Sequence, residues 1–220
     1  MCIRQTRSKF SSSSAVFIGD SRLRYLFNAT VKHITGTEPV YPKGKHNDLS
    51  VTDEGLNLTM KFYWKPFVNE DMQKQLESSK EEMNRDGSVP FLILVSSGTW
   101  TMKTTNASEA AFKEYKQNLT DLAPMLDEIG KKTRVLWVLQ DPVFERLLSS
   151  DRAMIDNSQI SKYNWAAEVR VLSIQIVLVL VLSLIKAYVK CSRMLEFVQV
   201  EGRAKLLVVI IYFIVCTLNI

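Results

Sequence analysis

A serine that follows an apolar run and opens an amphipathic helix is the residue best placed for chemistry. The run is Ala15–Ile18, a Gly19-Asp20 pair follows it, and the serine is Ser21. A helix N-terminus offers unpaired backbone N–H groups and positive dipole charge, so a hydroxyl there can attack a carbonyl while nearby amides stabilise the oxyanion. The alternative is structural: a strand, a glycine turn and an Asp or Ser N-cap occur in many α/β proteins. By itself the tripeptide favours this structural interpretation.

The elements around Ser21 predict an α/β fold, a three-layer sandwich with a parallel sheet. Two further apolar runs, Pro90–Gly98 and Arg134–Leu139, are typical of strands buried on both faces. Strands of this kind alternate with amphipathic helices, and the carboxyl ends of such strands are where sites form. The helix after Ser21 has apolar residues at the three- and four-residue spacing of one buried face: Leu23, Leu26, Phe27, Thr30, Val31 and Ile34.

The remaining segments are predicted from the same periodicities. Residues 56–64 alternate as in a half-buried strand, and the charged segment 69–85 is typical of a solvated helix. Residues 38–53 hold two prolines and several charges, which predicts a surface loop. A long helical face begins at residue 108 and ends at Gly130, with Pro124 expected to kink or divide it. Two shorter helices are predicted at residues 144–149 and 160–169.

Composition and charge exclude several classes of function. The chain of 220 residues carries a net charge of +5 and is 46% hydrophobic, as expected of a globular protein. The positive excess lies beside the apolar segments near the C-terminus rather than in a stripe with aromatic residues, so we expect no nucleic-acid partner. The three cysteines and two histidines show no metal-ligand spacing, and we expect no metal site.

The chain divides into three parts. Residues 1–14 are polar, lack the apolar core of a signal peptide, and predict a disordered lead-in. Residues 15–170 form the expected domain, and residues 171–220 form an apolar tail. Its candidate membrane segments, 171–189 and 206–220, are short for the roughly 20 residues that span a bilayer. We expect a membrane helix at the first, while a membrane helix and a buried helix stay open for the second. If both insert, the basic loop between them predicts a lumenal domain.

Four Asn-x-Ser/Thr sequons are candidate glycosylation sites. They predict a glycoprotein only if the domain enters the secretory pathway and the asparagine is exposed. Asn106 and Asn118 are the better candidates, because they lie in and beside a loop after a strand. Asn57 is weaker, and Asn28 lies in the middle of a predicted helix.

From Ala15 to about Arg170 the chain resembles the lumenal domain of the sialate O-acetyltransferase family (N-acetylneuraminate 9-O-acetyltransferase). Five stretches carry the resemblance, in the family's order: Phe17–Arg22, Trp64–Asn69, Gly98–Trp100, Trp137–Val143 with Leu147–Ser149, and Tyr163-Asn164 with Ala166-Ala167. The resemblance implies an SGNH/GDSL-like hydrolase fold in a Golgi membrane protein. It also implies transfer of acetyl from acetyl-CoA to a hydroxyl of sialic acid or CMP-sialic acid.

By the same resemblance Ser21 is the nucleophile that forms an acetyl-serine. Its own backbone N–H and that of Gly98 are the candidate oxyanion donors. Many relatives place a side-chain amide after the central strand, but Gly98-Thr99-Trp100 stands there in this chain. The oxyanion hole is therefore incompletely assigned.

The chain departs from the family pattern in its catalytic base. Family members complete the triad with an Asp-x-x-His pair, and residues 1–220 contain none. His33 lies twelve residues along the helix from Ser21, about 18 Å away. His46 lies in the loop and is expected to be a solvated surface histidine.

We therefore expect a chain that ends before the last strand and the triad pair, either as a truncated form or as an incomplete sequence. Its edge strand would lack a partner, and its activity alone would be little or none. Whether it is an enzyme stays open. The alternatives are a catalytically dead, membrane-tethered domain that binds a carbohydrate or a partner, and a GDSL-type acetyl esterase.

Overall fold

The computed structural model describes residues 13–42 and 44–171. Five strands lie in this part of the chain: β1 (Ser13–Gly19), β2 (Leu49–Asp53), β3 (Leu58–Trp64), β4 (Leu92–Ser96) and β5 (Arg134–Trp137). Five α-helices connect or flank them: α1 (Ser21–Thr35), α2 (Glu70–Asp86), α3 (Thr99–Thr104), α4 (Glu109–Gly130) and α5 (Asn157–Val171). Two short 3-10 helices lie between β5 and α5, at Glu145–Leu147 and Ser150–Arg152.

The strands form one mostly parallel sheet in the order β2-β3-β1-β4-β5. Strand β1 is central and pairs in parallel with both β3 and β4, so Gly19 is opposite Trp64 on one side and Ser96 on the other. Strand β2 pairs antiparallel with β3. The loop predicted for residues 38–53 is thus wrong at its end, because residues 49–53 gain their strand structure by pairing with β3.

Side chains alternate between two faces of the sheet and create a core on each. Phe17 and Leu94 point toward α1, where they pack with Leu23 and Phe27. Ile18, Ile93 and Val95 lie on the opposite face, in the core that includes residues of α2, α4 and α5. The neighbouring strands β1 and β4 are buried on both faces for this reason. The predicted α/β sandwich is confirmed, except that its sheet is mostly rather than wholly parallel, because β2 is antiparallel to β3.

Helix α4 is continuous, so Pro124 does not divide it, which was one of its two expected effects. The helix runs 22 residues with Pro124 inside it. Proline removes one backbone hydrogen bond from a helix interior. Buried side chains occur on both sides of Pro124, at Leu119, Leu122, Leu126 and Ile129, and their packing holds the two halves in one helix.

The short helix predicted at residues 144–149 is also wrong. The chain forms two 3-10 turns there, and Phe144 and Leu147 are 67% and 75% exposed. With no apolar face buried, nothing stabilises a longer helix. Helix α5 begins at Asn157, three residues before the predicted start.

The two ends of the predicted domain, near residues 14 and 170, lie close to the limits of the described residues. Strand β1 begins at Ser13, because Ser13 and Ser14 pair with Leu58 and Thr59 in β3. The lead-in predicted for residues 1–14 is therefore wrong at Ser13 and Ser14, and residues 1–12 lie outside the described part. Of the apolar tail only Val171 is described, at the end of α5. Within residues 13–42 and 44–171, no helix is both long and apolar enough to cross a membrane.

Candidate active site

Ser21 is the first residue of α1 and lies at the carboxyl end of the central strand. Asp20 is the N-cap, and its Oδ1 accepts a hydrogen bond of 2.9 Å from the backbone N–H of Arg22. This bond satisfies one of the donors that a helix leaves unpaired at its start. The side chain of Ser21 is partly exposed and can meet a substrate.

Asp20 is fully buried beside this serine. Its second carboxylate oxygen, Oδ2, has no hydrogen-bond partner among the described residues. Burial raises the pKa of Asp20 from 3.8 to about 6, although the backbone N–H and the guanidinium of Arg22 pull it the other way. The carboxyl group is therefore close to titrating near neutral pH.

The loop after β4 carries the second candidate oxyanion donor. Gly98 has φ 141° and ψ −42°, a conformation that favours glycine, and α3 begins at the next residue. Ser97 fixes the loop, because its hydroxyl donates to the carbonyl of Pro66 at 2.7 Å and its own carbonyl accepts from the hydroxyl of Tyr115 at 3.1 Å. Within the described part of the chain, the N–H groups of Ser21 and Gly98 donate to no protein acceptor. The oxyanion role of these two amides stays a prediction.

Gln140 links the ends of β4 and β5, and sequence reasoning did not single it out. Its Oε1 accepts from the hydroxyl of Thr99 at 2.6 Å, and its Nε2 donates to the hydroxyl of Ser96 at 2.9 Å. The side chain is 4% exposed. Both bonds go to residues at or after the end of β4, so the buried amide holds the loops after β4 and β5 together.

The loop after β5 is fastened to α5 and reaches the start of α1. Asn164 accepts from the backbone N–H of Gln140 at 2.8 Å and donates to its carbonyl at 2.9 Å. Asn157 makes the same pair of bonds with the backbone of Val143, at 2.7 and 3.0 Å. The guanidinium of Arg22 donates to the carbonyl of Asp141. Residues 140–143 are thereby held beside the serine.

The histidines differ in their surroundings. His33 lies in the last turn of α1 and is exposed, far from Ser21 as the helix geometry predicts. His46 is exposed, as predicted for a surface histidine, but it also makes ring contacts that the sequence did not predict. Its ring stacks on Trp64 at 4.5 Å between centroids and meets the edge of Trp100 at 5.3 Å. Loop residues far apart in sequence meet here, which no local pattern could show.

The structure places the candidate glycosylation residues differently from one another. Asn106 is exposed, in a turn with φ 51°, and Asn57 lies in the turn between β2 and β3, also with φ 51°. Asn118 lies within α4 rather than beside a loop, and its side-chain amide donates to the carbonyl of Val68 at 2.7 Å. Asn28 lies in α1 and accepts from the hydroxyl of Tyr41 at 2.6 Å. Glycosylation stays a prediction, and Asn57 and Asn106 are the two sequon residues that are exposed in turns.

Fold and site together define a three-layer α/β domain with a candidate nucleophilic serine at the end of its central strand. In the described residues, no group of three or more His, Cys, Asp or Glu side chains is placed to hold a metal ion. No protein-family model matches the chain. A solved α/β hydrolase from the metagenome of Lake Arreo, Spain, aligns with 96% of this chain and 99% of its own at 14% identity and a TM-score of 0.46.

Over 166 residues the chain is 36% identical to the N-acetylneuraminate (7)9-O-acetyltransferase of Danio rerio. The match covers 76% of this chain and 20% of that enzyme. The resemblance to the sialate O-acetyltransferase family is therefore confirmed. The chain spans about a fifth of the length of this relative.

Proposed function

We propose that this chain carries the serine site of a sialate O-acetyltransferase. Ser21 takes an acetyl group from acetyl-CoA and passes it to a hydroxyl of sialic acid or CMP-sialic acid. The observation that carries the proposal is the position of Ser21 at the N-terminus of α1, at the end of the strand that lies between β3 and β4. The similarity to the Danio rerio acetyltransferase supports the choice of acetyl group and acceptor.

The transfer takes two steps on Ser21. Its hydroxyl oxygen attacks the thioester carbonyl, the C–S bond breaks, and the serine proton goes to the departing thiolate through a base. The acceptor hydroxyl then attacks the acetyl-serine, and Ser21 recovers a proton as the new ester forms. In both steps the N–H groups of Ser21 and Gly98 donate hydrogen bonds to the oxyanion and so stabilise the transition state.

The base is the part that these residues do not provide. Residues 1–220 contain no Asp-x-x-His, and neither histidine is placed on Ser21 by a hydrogen bond. We propose that the chain alone transfers acetyl groups slowly, and that added imidazole accelerates it by acting as the missing general base.

The test is transfer of a labelled acetyl group from acetyl-CoA to CMP-sialic acid or free sialic acid by the full chain, with and without imidazole. Transfer that imidazole accelerates and that Ser21→Ala abolishes supports the proposal. Ser161→Ala is the matched control, since Ser161 is exposed on α5 and donates only to the carbonyl of Asn157. Transfer that survives Ser21→Ala removes Ser21 from the mechanism.

A second candidate is a domain that binds a sialylated sugar or a protein partner without turnover. The absence of an Asp-x-x-His pair from residues 1–220 favours it. Binding that is unaffected by Ser21→Ala, with no transfer even in imidazole, would select this candidate. Release of free acetate with no acetylated sugar would instead select an acetyl esterase.

We propose a Golgi-membrane setting with the domain in the lumen. The support is the resemblance to the family together with an exposed sequon at Asn106. Expressed in animal cells, the full chain should lose apparent mass on treatment with an N-glycan-removing enzyme, and Asn106→Gln should abolish most of that loss. A chain that the enzyme leaves unchanged would contradict the lumenal location.

A further inference from the structure

A buried arginine lies one helical turn from Ser21. Arg24 is on α1, three residues after the serine, and residues at this spacing are neighbours on the helix surface. It is only 4% exposed, although arginine is among the residues least often buried without a partner. A buried guanidinium is therefore unusual at this position and needs a physical reason.

The charge of Arg24 has no acidic partner within the described residues. Its Nη1 donates to the carbonyl of Lys45 at 2.8 Å, and no carboxylate forms an ion pair with it. Its guanidinium carbon also lies 5.4 Å from the ring centroids of both Tyr25 and Trp64. Taking an unpaired charge out of water is costly, and a guanidinium has five N–H donors arranged for planar anions. The remaining donors and the positive charge suit an anionic ligand.

The Trp64 ring beside this guanidinium belongs to a cluster of aromatic side chains near the carboxyl ends of the strands. The aromatic cluster consists of His46, Trp64 and Trp100, with the two tryptophan rings 5.4 Å apart and nearly perpendicular. Trp64 ends β3 opposite Gly19, and Trp100 follows Gly98 in the loop after β4. The cluster therefore flanks the end of β1 that carries Ser21. Its rings are exposed or partly exposed, which leaves faces for a ligand.

The electrostatics of the cluster are positive. The pKa of His46 is lowered by partial burial and by the charges of Arg24 and Lys103. Lys103 lies 5.7 Å from the Trp100 ring and 3.5 Å from the carboxylate of Asp151, so its charge is partly compensated. The uncompensated charge is that of Arg24.

We propose that Arg24 and the aromatic cluster bind the acceptor substrate. The guanidinium holds the acidic group of the acceptor, and the rings of His46 and Trp100 pack against the acceptor ring next to that group. This inference rests on the proposed function, which supplies an acceptor. The acidic group is either the carboxylate of the sugar or the phosphate of its nucleotide, because a guanidinium pairs with each of these groups.

The test is calorimetric titration of the full chain, with no acetyl donor present, with CMP-N-acetylneuraminate, free N-acetylneuraminate and CMP. Arg24→Gln should weaken binding of CMP-N-acetylneuraminate about 10- to 100-fold, as expected for loss of a charge-assisted contact. Arg134→Gln is the matched control, because Arg134 opens β5 at the opposite ends of the strands, and it should leave binding unchanged. Loss confined to the two sugars identifies the carboxylate, and loss that includes CMP identifies the phosphate.

Two further variants keep the test decisive if Arg24→Gln does not fold. Arg24→Lys keeps the charge without the planar fork and should weaken binding less than the glutamine variant. Trp100→Ala should weaken binding about tenfold through lost stacking. Failure of all folded variants to weaken binding relative to Arg134→Gln, or a wild-type chain that binds none of the three ligands, would overturn the proposal.

Binding is measured without acetyl-CoA, so the proposed acceptor subsite and the proposed function can be rejected independently of each other. Arg24-dependent binding in a chain that never transfers acetyl overturns the function and keeps the subsite. Acetyl transfer that depends on Ser21 but not on Arg24 overturns the subsite and keeps the function.

Discussion

Gly19 shows how tightly the residues before Ser21 are packed. A Cβ at this position would lie 2.2 Å from the carbonyl oxygen of Ser96 in the neighbouring strand. Backbone cannot move away as a flexible side chain can, so only glycine allows β1 and β4 to approach where the turn to Ser21 begins.

We therefore expect Gly19→Ala to lower the free energy of unfolding by about 3 kcal/mol, the upper end of the cost of overpacking. Chemical denaturation measures the change. Gly55→Ala is the control, since its Cβ would meet only the side chain of Asp53 at 3.2 Å, and it should change stability little. Equal effects of the two substitutions would contradict the close approach.

The buried carboxyl group of Asp20 makes the stability of the folded protein depend on pH. Its pKa of about 6 in the folded protein is above the ordinary value of 3.8, so the folded state binds the proton more tightly than the unfolded state. Protonated Asp20 contributes stability that is fully present below about pH 4 and is lost as the pH rises through about 6.

Asp20→Asn keeps an oxygen for the Arg22 N–H but cannot ionise. As the pH rises from about 4 to about 7, the free energy of unfolding of Asp20→Asn should increase by up to about 3 kcal/mol relative to that of the wild type. Denaturation curves of both proteins across this range measure the shift. A difference that stays constant with pH would show that Asp20 does not titrate in this range.

At the scale of elements, Gln140 ties the strand ends that surround the site. Replacing it by leucine leaves the buried hydroxyl of Thr99 without its acceptor and removes one bond from Ser96. We expect Gln140→Leu to lower the free energy of unfolding by about 1–3 kcal/mol, the cost of leaving a buried polar group unpaired. Gln117→Leu, at an exposed site on α4, is the matched control in the same denaturation experiment. A control variant as unstable as Gln140→Leu would contradict the role of this link.

Elements with a strong hydrophobic period were predictable from the sequence, and those set by distant pairing were not. The runs that became β4 and β5 and the apolar face of α1 are local patterns. Strand β2 has a loop-like composition and exists because β3 pairs with it across a turn. Helix α3 has six residues, too few for a periodic signal.

The same division applies to the site. The sequence predicts Ser21 at a strand-to-helix junction, and the structure places it there. It could not predict that His46, Trp64 and Trp100 meet, because their loops come together only when β1, β3 and β4 form one sheet. The burial of Arg24 runs against the preference of its residue type and follows from the same packing.

At the scale of the whole molecule, the sheet order brings the loops of the candidate site to the same end of the sheet. Strands β3, β1, β4 and β5 are parallel neighbours, so the segments after them lie side by side at their carboxyl ends. The serine follows the central strand, Trp64 ends β3 on one side of it, and the Gln140 link joins the ends of β4 and β5 on the other. In the proposed mechanism, the donor and the acceptor both reach Ser21 from this end of the sheet.

The most direct test of this account is the identity of the acetylated residue. The full chain is incubated with acetyl-CoA and imidazole without an acceptor, and peptide mass spectrometry locates any bound acetyl group. The account predicts an acetyl ester on the peptide that contains Ser21, absent from Ser21→Ala and retained in Ser161→Ala. Acetylation at another residue only, equal labelling of Ser21→Ala, or no labelling at all would contradict the central claim that Ser21 is the nucleophile.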